Sequence, residues 1–455
     1  MNFANRDLSR SESYESAAYD AAVQVAIWGT PIVSLDAMRQ AFFRDAQAGY
    51  NDILFWSKPA DWQFQVPTPN ASSHYVFFNF NTREGPLVLE IPAAVEAGLF
   101  GSILDAWQVP LADIGPEGED RGKGGKYLLL PPDYAANVPA GYIPVLPETY
   151  NGYSAFRAIP KGSSEEDTEK AIALIRKIRI YPFSSAADPP QTRFIDMSGK
   201  LFDGIVRFDE HFFESLSRMI NEEPEHPRDQ AAIDHLRVIG IEKGKDFKPG
   251  ANMQDVLKNA AAEVQAQFIS EASNDGARYW PDLHWRSASI TGAETGFSFE
   301  TAHGLDVNSR GLFYFVACAP PAKLGKATFY LMASVDTSGQ PLTGRNNYRL
   351  HVPANVPANQ FWALTLYDSE TAAFSRNSPR VELNSYNQEI RKNADGSVDL
   401  YLGPKPPALK EPNWIYTAPG RNFFTIFRLY GPEKPIFDKT WRLPDIERIE
   451  RKMRS

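Results

Sequence analysis

The chain has 455 residues, 43% of them hydrophobic and 13% aromatic, with a formal net charge of −9, 35 Pro, 30 Gly and one Cys. This length and apolar content predict two or three units with real cores and exclude a disordered chain. The acidic balance excludes a nucleic-acid partner held by bulk charge, and the lone Cys excludes a disulfide framework, a Cys-based zinc site and an iron–sulfur cluster.

Taken in chain order, residues 1–16 are polar and lack the apolar core of a secretory signal. The stretch Ala17–Leu35 carries Asp20, Gln24 and Pro31, so it reads as something other than a membrane span. The expectation is a soluble protein, cytoplasmic as the chain stands, and periplasmic or secreted if a signal was removed ahead of it. Ala18, Ala22, Val25 and Trp28 share one helical face, predicting a helix over 15–28 that stops at Gly29 and Pro31. A second helix is predicted from about Asp36 to Ala48. The runs 74–80 and 86–91 flank Thr82-Arg83-Glu84-Gly85 and read as a hairpin. Ser163-Ser164-Glu165-Glu166-Asp167 is a capping signature that opens a helix to about Ile178.

Residues 186–285 read as mostly helical, with the clearest apolar stripe running from Met253 to Phe268. From about Ser287 the texture is all-β, with strands predicted at 312–318, 327–335, 347–352, 361–367, 398–402 and 423–429. The lone Cys318 falls in the first of these and reads as a buried structural residue. The fold class expected is α+β and β-rich. An N-terminal β unit with leading helices spans 1–185, a helical connecting segment 186–285, and a C-terminal antiparallel sandwich of jelly-roll type 286–455.

Few catalytic motifs survive inspection. HExxH is absent, no two His residues fall four apart, and Gly296-Phe297-Ser298-Phe299-Glu300 lacks the second Gly of a nucleophile elbow. No Gly-x-Gly-x-x-Gly follows a strand, so nicotinamide chemistry is not expected. The run GEDRGKGGK (residues 118–126) fails the phosphate-loop spacing and reads as a hairpin tip or, less simply, a backbone nest for an anion. Asn393-Ala394-Asp395-Gly396-Ser397 begins like a calcium loop, but Pro404 stands where its closing Glu belongs, so a turn is expected. His284-Trp285-Arg286, preceded by Tyr279-Trp280, suits a polar or anionic ligand and equally an aromatic patch. His74 is either a structural His or a base.

By the second β region the pattern resembles a known family. Tyr348-Arg349-Leu350, Phe361 through Asp368, Asn393-x-Asp395-Gly396-Ser397, Asn413-Trp414, Arg428-x-Tyr430-x-Pro432 and Trp441 look like domain of unknown function 1214. Asn70 through Tyr75, Gly85 through Leu89, Asp105, Gly125 through Leu128 and Arg157 resemble its usual partner, domain of unknown function 1254. That partner often has Asn-x-Asp-Thr-x-Tyr, and Ser72 here replaces the acid. The resemblance implies a bacterial or viral protein of β-rich domains that forms oligomers, and it brings no settled reaction.

Two functions follow as expectations. The first is an enzyme of hydrolase or lyase type acting on a small polar or ester-like molecule in a cleft between the β domains. His74 would be its base, Asp113 the orienter or acid, and Lys126 the oxyanion stabiliser. Trp107, Tyr150 and Trp285 would wall the pocket, with Arg349 holding a carboxylate or phosphate and Asn70, Tyr75 and His284 completing the contacts. The second is a module that binds carbohydrate or lipid-like ligands on aromatic surfaces without chemistry. A third, weaker reading is a structural or surface-assembly protein. No motif calls for a cofactor, and scattered His, Asp and Glu leave a divalent metal open without supporting it. The partners expected are a small molecule and further copies of the chain, with no nucleic acid and no membrane span.

Overall fold

The computed structural model describes residues 10–162, 164–274, 276–287, 292–323 and 328–449. Ser163 of the predicted cap, Ala327 and the charged tail beyond Ile449 lie outside them. Seven helices are described: α1 (Arg10–Arg44), α2 (Glu165–Ile175), α3 (Glu210–Glu222), α4 (Gln230–Val238), α5 (Ala251–Ala272), α6 (Val307–Val316) and α7 (Lys434–Phe437).

The two predicted leading helices are one. α1 runs straight through Gly29 and Pro31, both of which work against a helix interior. Packing overrides that preference, because every residue from Val25 to Asp36 is buried. Carbonyls around Pro31 find other donors: Thr30 Oγ1 bonds Ala26 O at 2.8 Å, Arg310 Nη2 bonds Trp28 O at 3.0 Å and Gln108 Nε2 bonds Pro31 O at 2.8 Å. Gly29 permits close approach of α3, since a Cβ there would lie 2.8 Å from Leu216. By length and composition α1 is apolar enough to cross a bilayer, but here 83% of its most apolar window is buried inside the protein. It is the helix around which α3, α4, α5 and α6 pack.

The N-terminal β region forms two sheets. A six-stranded sheet runs 194–196, 53–55, 74–81, 151–159, 98–105, 110–114, and a four-stranded sheet runs 179–182, 87–91, 125–129, 143–145. The turn at 82–85 closes as expected, Gly85 N bonding Thr82 O at 3.0 Å. Its two strands are not a hairpin, however, because 74–81 joins the first sheet and 87–91 the second. α2 starts at the predicted place, with Ser164 Oγ accepting Asp167 N–H at 3.1 Å. The helical middle shares a core with the N-terminal sheets: Phe212, Leu216, Leu257 and Phe268 pack in one cluster with Phe42, Phe77 and Tyr153.

The C-terminal unit is a two-sheet sandwich. One sheet has the order 286–287, 328–333, 423–432, 358–368, 382–384, and the other 414–416, 398–403, 347–352, 447–449. Leu331, Trp362, Leu364 and Phe427 from the first meet Tyr348, Leu350, Leu400 and Ile415 from the second. The predicted strand 312–318 is instead helix α6. Its signal is Asp306, whose side chain accepts Ser309 N–H at 3.1 Å as an N-cap. Gly311 then lets α6 press against α1, where a Cβ would meet Ile27 O at 2.8 Å.

Candidate functional site

Alternate side chains of a strand share a face. On the six-stranded sheet this puts Tyr75 and Phe77 beside Tyr153, Ala155 and Arg157, with Tyr75 directly opposite Arg157. On the five-stranded sheet Arg428 stands between Tyr330 and Ala363, Tyr430 stands beside Phe361, and Thr365 is opposite Glu382. The outer face of the second sheet meets the first: Tyr367, Phe424 and Ile426 belong to the N-terminal core cluster. On the Tyr75–Arg157 face of the six-stranded sheet lies a cavity of about 60 Å³, room for about four waters at ~15 Å³ each. Tyr75, Phe77, Tyr153 and Arg157 form one side, and Thr68, Pro69, Cys318 and Ala319 close it.

Two guanidiniums dominate the electrostatics. Arg157 lines the cavity half-buried, and its guanidinium carbon lies 6.0 Å from the Tyr75 ring centre and 5.6 Å from that of Phe100. Among the described residues it has no hydrogen bond and no carboxylate partner. Arg428 is buried, donates to Thr365 Oγ1 at 2.8 Å and to the Thr68 carbonyl at 3.2 Å, and sits 5.2 Å from the Tyr330 ring centre. Thr365 in turn donates to Glu382 Oε2 at 2.8 Å. Of these charges, Arg157 is the one that lines the cavity.

The phenols respond to the two guanidiniums differently. Burial would push Tyr330 up, but Arg428 and then Arg157 outweigh it and hold its hydroxyl below the ordinary tyrosine range. Burial wins at Tyr75, Tyr367 and Tyr430, which are raised. The Tyr430 hydroxyl is buried without a hydrogen-bond partner among the described residues. Burial pushes Cys318 up to about 12, so it lines the cavity as an inert thiol.

Of the residues singled out from sequence, Tyr75 lines this cavity and Asn70 adjoins it, its backbone N–H bonding Tyr75 Oη at 3.0 Å. The proposed catalytic trio is not brought together: no hydrogen bond or ion pair among the described residues links any two of its members. His74 places Nδ1 3.0 Å from the Trp56 carbonyl, and burial lowers its pKa, so it is neutral and held by the backbone. Asp113 accepts from Ser102 Oγ at 2.8 Å and from Ala322 and Lys323 N–H, both at 2.9 Å, stapling an extended segment to its strand. Lys126 pairs with Glu90 at 2.9 Å on the surface.

The other candidates are scattered. Trp107 packs against Trp28 in a tilted pair, ring centres 4.7 Å apart, under Arg310, and Tyr150 lies under Arg83. His284 bonds Asp445 at 2.7 Å, Trp285 is sealed in the sandwich core, and Arg349 pairs with Glu447 at 2.7 Å on an exposed strand. The GEDRGKGGK run does build a nest, but its anion is internal: Asp120 accepts N–H bonds from Gly115 at 2.8 Å and Gly124 at 3.2 Å. Asp209, Glu210 and His211 cluster at the start of α3 with metal-ligand spacing, on the outside of the fold and far from being a closed site. What sequence reading missed as site residues are Arg157, Arg428, Tyr330 and Tyr430. The available signal was a charge inside an apolar strand, as in Phe424-Thr425-Ile426-Phe427-Arg428-Leu429-Tyr430.

Two family models match the chain. Residues 50–182 match "Protein of unknown function (DUF1254)" and residues 327–434 match "Protein of unknown function (DUF1214)". The chain belongs to the proteins that join these two domains. Tyr75, Phe77, Tyr153 and Arg157 of the cavity lining lie in the DUF1254 range. Among solved structures, the VPA0106 protein from Vibrio parahaemolyticus is 16% identical with a TM-score of 0.53, over 95% of this chain and 100% of that one. An uncharacterized protein from Burkholderia cenocepacia is 12% identical with a TM-score of 0.43, over 96% of each chain. The first shares the fold of this DUF1254–DUF1214 protein. No curated protein matches it.

Proposed function

We propose that this protein is an enzyme that binds a small organic carboxylate in the cavity lined by Tyr75, Tyr153 and Arg157 and acts on it by proton-transfer chemistry, of lyase rather than hydrolase type. One observation carries the reading: Arg157 faces the cavity without a hydrogen-bond or carboxylate partner among the described residues. A half-buried guanidinium is costly to leave unsatisfied, and the planar fork matches a carboxylate. Lyase-type chemistry is favoured over hydrolysis because the phenols of Tyr75 and Tyr153 line the cavity and its thiol is inert. The carbohydrate- or lipid-binding alternative has less support, since eight of the nine Trp are buried and cannot form a stacking platform.

Calorimetric titration with acetate, glycolate and their neutral amides tests this. The expected result is single-site binding of the acids, no binding of the amides, and at least a tenfold loss of affinity in Arg157→Met. Equal binding of acid and amide, or affinity unchanged by Arg157→Met, overturns it.

A further inference from the structure

We propose that Tyr75 is the specificity residue of this cavity, donating its phenolic hydrogen to the ligand, and that the ligand is a short 2-oxo acid whose keto oxygen takes that hydrogen. This rests on the cavity being a carboxylate site.

Tyr75 and Arg157 both line the cavity, and they stand directly opposite each other on paired strands. The Arg157 guanidinium carbon lies 6.0 Å from the Tyr75 ring centre, so one small molecule reaches both. Phe64 and Trp56 hold the phenol in place, their ring centres 4.8 Å and 6.4 Å from its own. Its oxygen already accepts Asn70 N–H at 3.0 Å, and among the described residues nothing accepts its hydrogen. The other polar side chains of the lining are engaged. Tyr153 Oη donates to Gln108 Oε1 at 2.8 Å and accepts Ala319 N–H at 2.9 Å. Thr68 Oγ1 donates to the Val316 carbonyl at 2.8 Å, and Cys318 Sγ lies 3.7 Å from the Pro67 carbonyl. The Tyr75 hydrogen and the Arg157 N–H groups are therefore what the lining side chains have left to offer, and both are donors.

Two neighbouring donors select a ligand with two neighbouring acceptors. A carboxylate satisfies the Arg157 fork. The atom that meets Tyr75 must then accept, and a keto oxygen on the adjacent carbon accepts while bringing no hydrogen of its own. A hydroxyl in its place carries a hydrogen that neither donor can take, and a methylene leaves the phenol unsatisfied in a half-buried site. The cavity of about 60 Å³ limits such an acid to about two or three carbons. Burial, which outweighs the Arg157 charge, raises the Tyr75 pKa and so keeps the hydrogen in place at neutral pH.

The test is calorimetric titration of the full chain with pyruvate, lactate and propionate, joined to infrared spectra of bound pyruvate isotope-labelled at its keto carbon. Wild type is expected to bind pyruvate at least about tenfold more tightly than propionate, with lactate between them. Tyr75→Phe brings pyruvate to within about threefold of propionate and leaves propionate at its wild-type affinity. The labelled keto band lies at lower frequency in the wild-type complex than in the Tyr75→Phe complex. Pyruvate and propionate bound equally by wild type overturns the assignment without recourse to any variant. A preference retained by Tyr75→Phe, a keto band identical in the two complexes, or a loss of propionate as large as that of pyruvate also overturns it, the last by placing the hydrogen on the carboxylate. Each of these leaves the carboxylate site standing, whereas failure of all three acids to bind wild type removes both.

Discussion

Replacing Arg157 with Met separates a guanidinium kept for a ligand from one kept for the fold. Met retains an apolar stem and removes the charge. The fold offers Arg157 two ring faces, at 6.0 Å and 5.6 Å, near the outer edge of the cation–π range and worth ~0.5 kcal/mol each. Against that stands a half-buried cation with no hydrogen bond among the described residues, a condition that costs ~1–3 kcal/mol. The difference favours Met by zero to about 2 kcal/mol in the ligand-free protein. Denaturant titration followed by tryptophan fluorescence therefore shows Arg157→Met equal to or more stable than wild type, even as acetate binding is lost. Breaking a genuine buried ion pair costs ~3–5 kcal/mol, so the two readings are well separated. A variant destabilised by more than about 2 kcal/mol would refute the reasoning and make Arg157 a structural residue.

Two further predictions concern charges outside the cavity. Burial pushes Asp105 from its ordinary 3.8 up to about 7, so the native state binds its proton more tightly than the unfolded chain. Its contribution is complete at acid pH and is lost as pH rises through about 7; Asp105→Asn flattens that slope and exceeds wild type in stability above neutrality, and identical slopes for the two proteins would count against it. Asp120→Ala empties the nest that receives Gly115 and Gly124 N–H, with an expected loss of ~2–3 kcal/mol partly restored by added phosphate in a thermal melt; a loss that phosphate leaves untouched would mean the loop is not an anion nest.

Some of this architecture was legible in the chain. Alternation of apolar residues at 347–352 and 398–402, and the apolar run at 423–429, are local properties and mark real strands. The Ser164 cap works through a side chain three residues from its partner, so it too is local. α6 escaped because Leu312-Phe313-Tyr314-Phe315-Val316 has no period that separates helix from buried strand. The break expected at Pro31 was overridden by donors from Arg310 and Gln108, which arrive from elsewhere in the chain.

The sequence by itself determined the β-rich α+β class and the order of the two matched domains. Family-matching motifs even contained Arg157, Arg428 and Tyr430, without marking them as one group. Only the tertiary structure decided that Arg157 lines a cavity, that His74 is held by a backbone carbonyl, and that Asp120 fills its own loop. The reason is physical: a strand reveals from its alternation which residues share a face, but not which distant face will cover it. What a cation meets across that junction decides whether its charge is neutralised by the fold or left for a ligand.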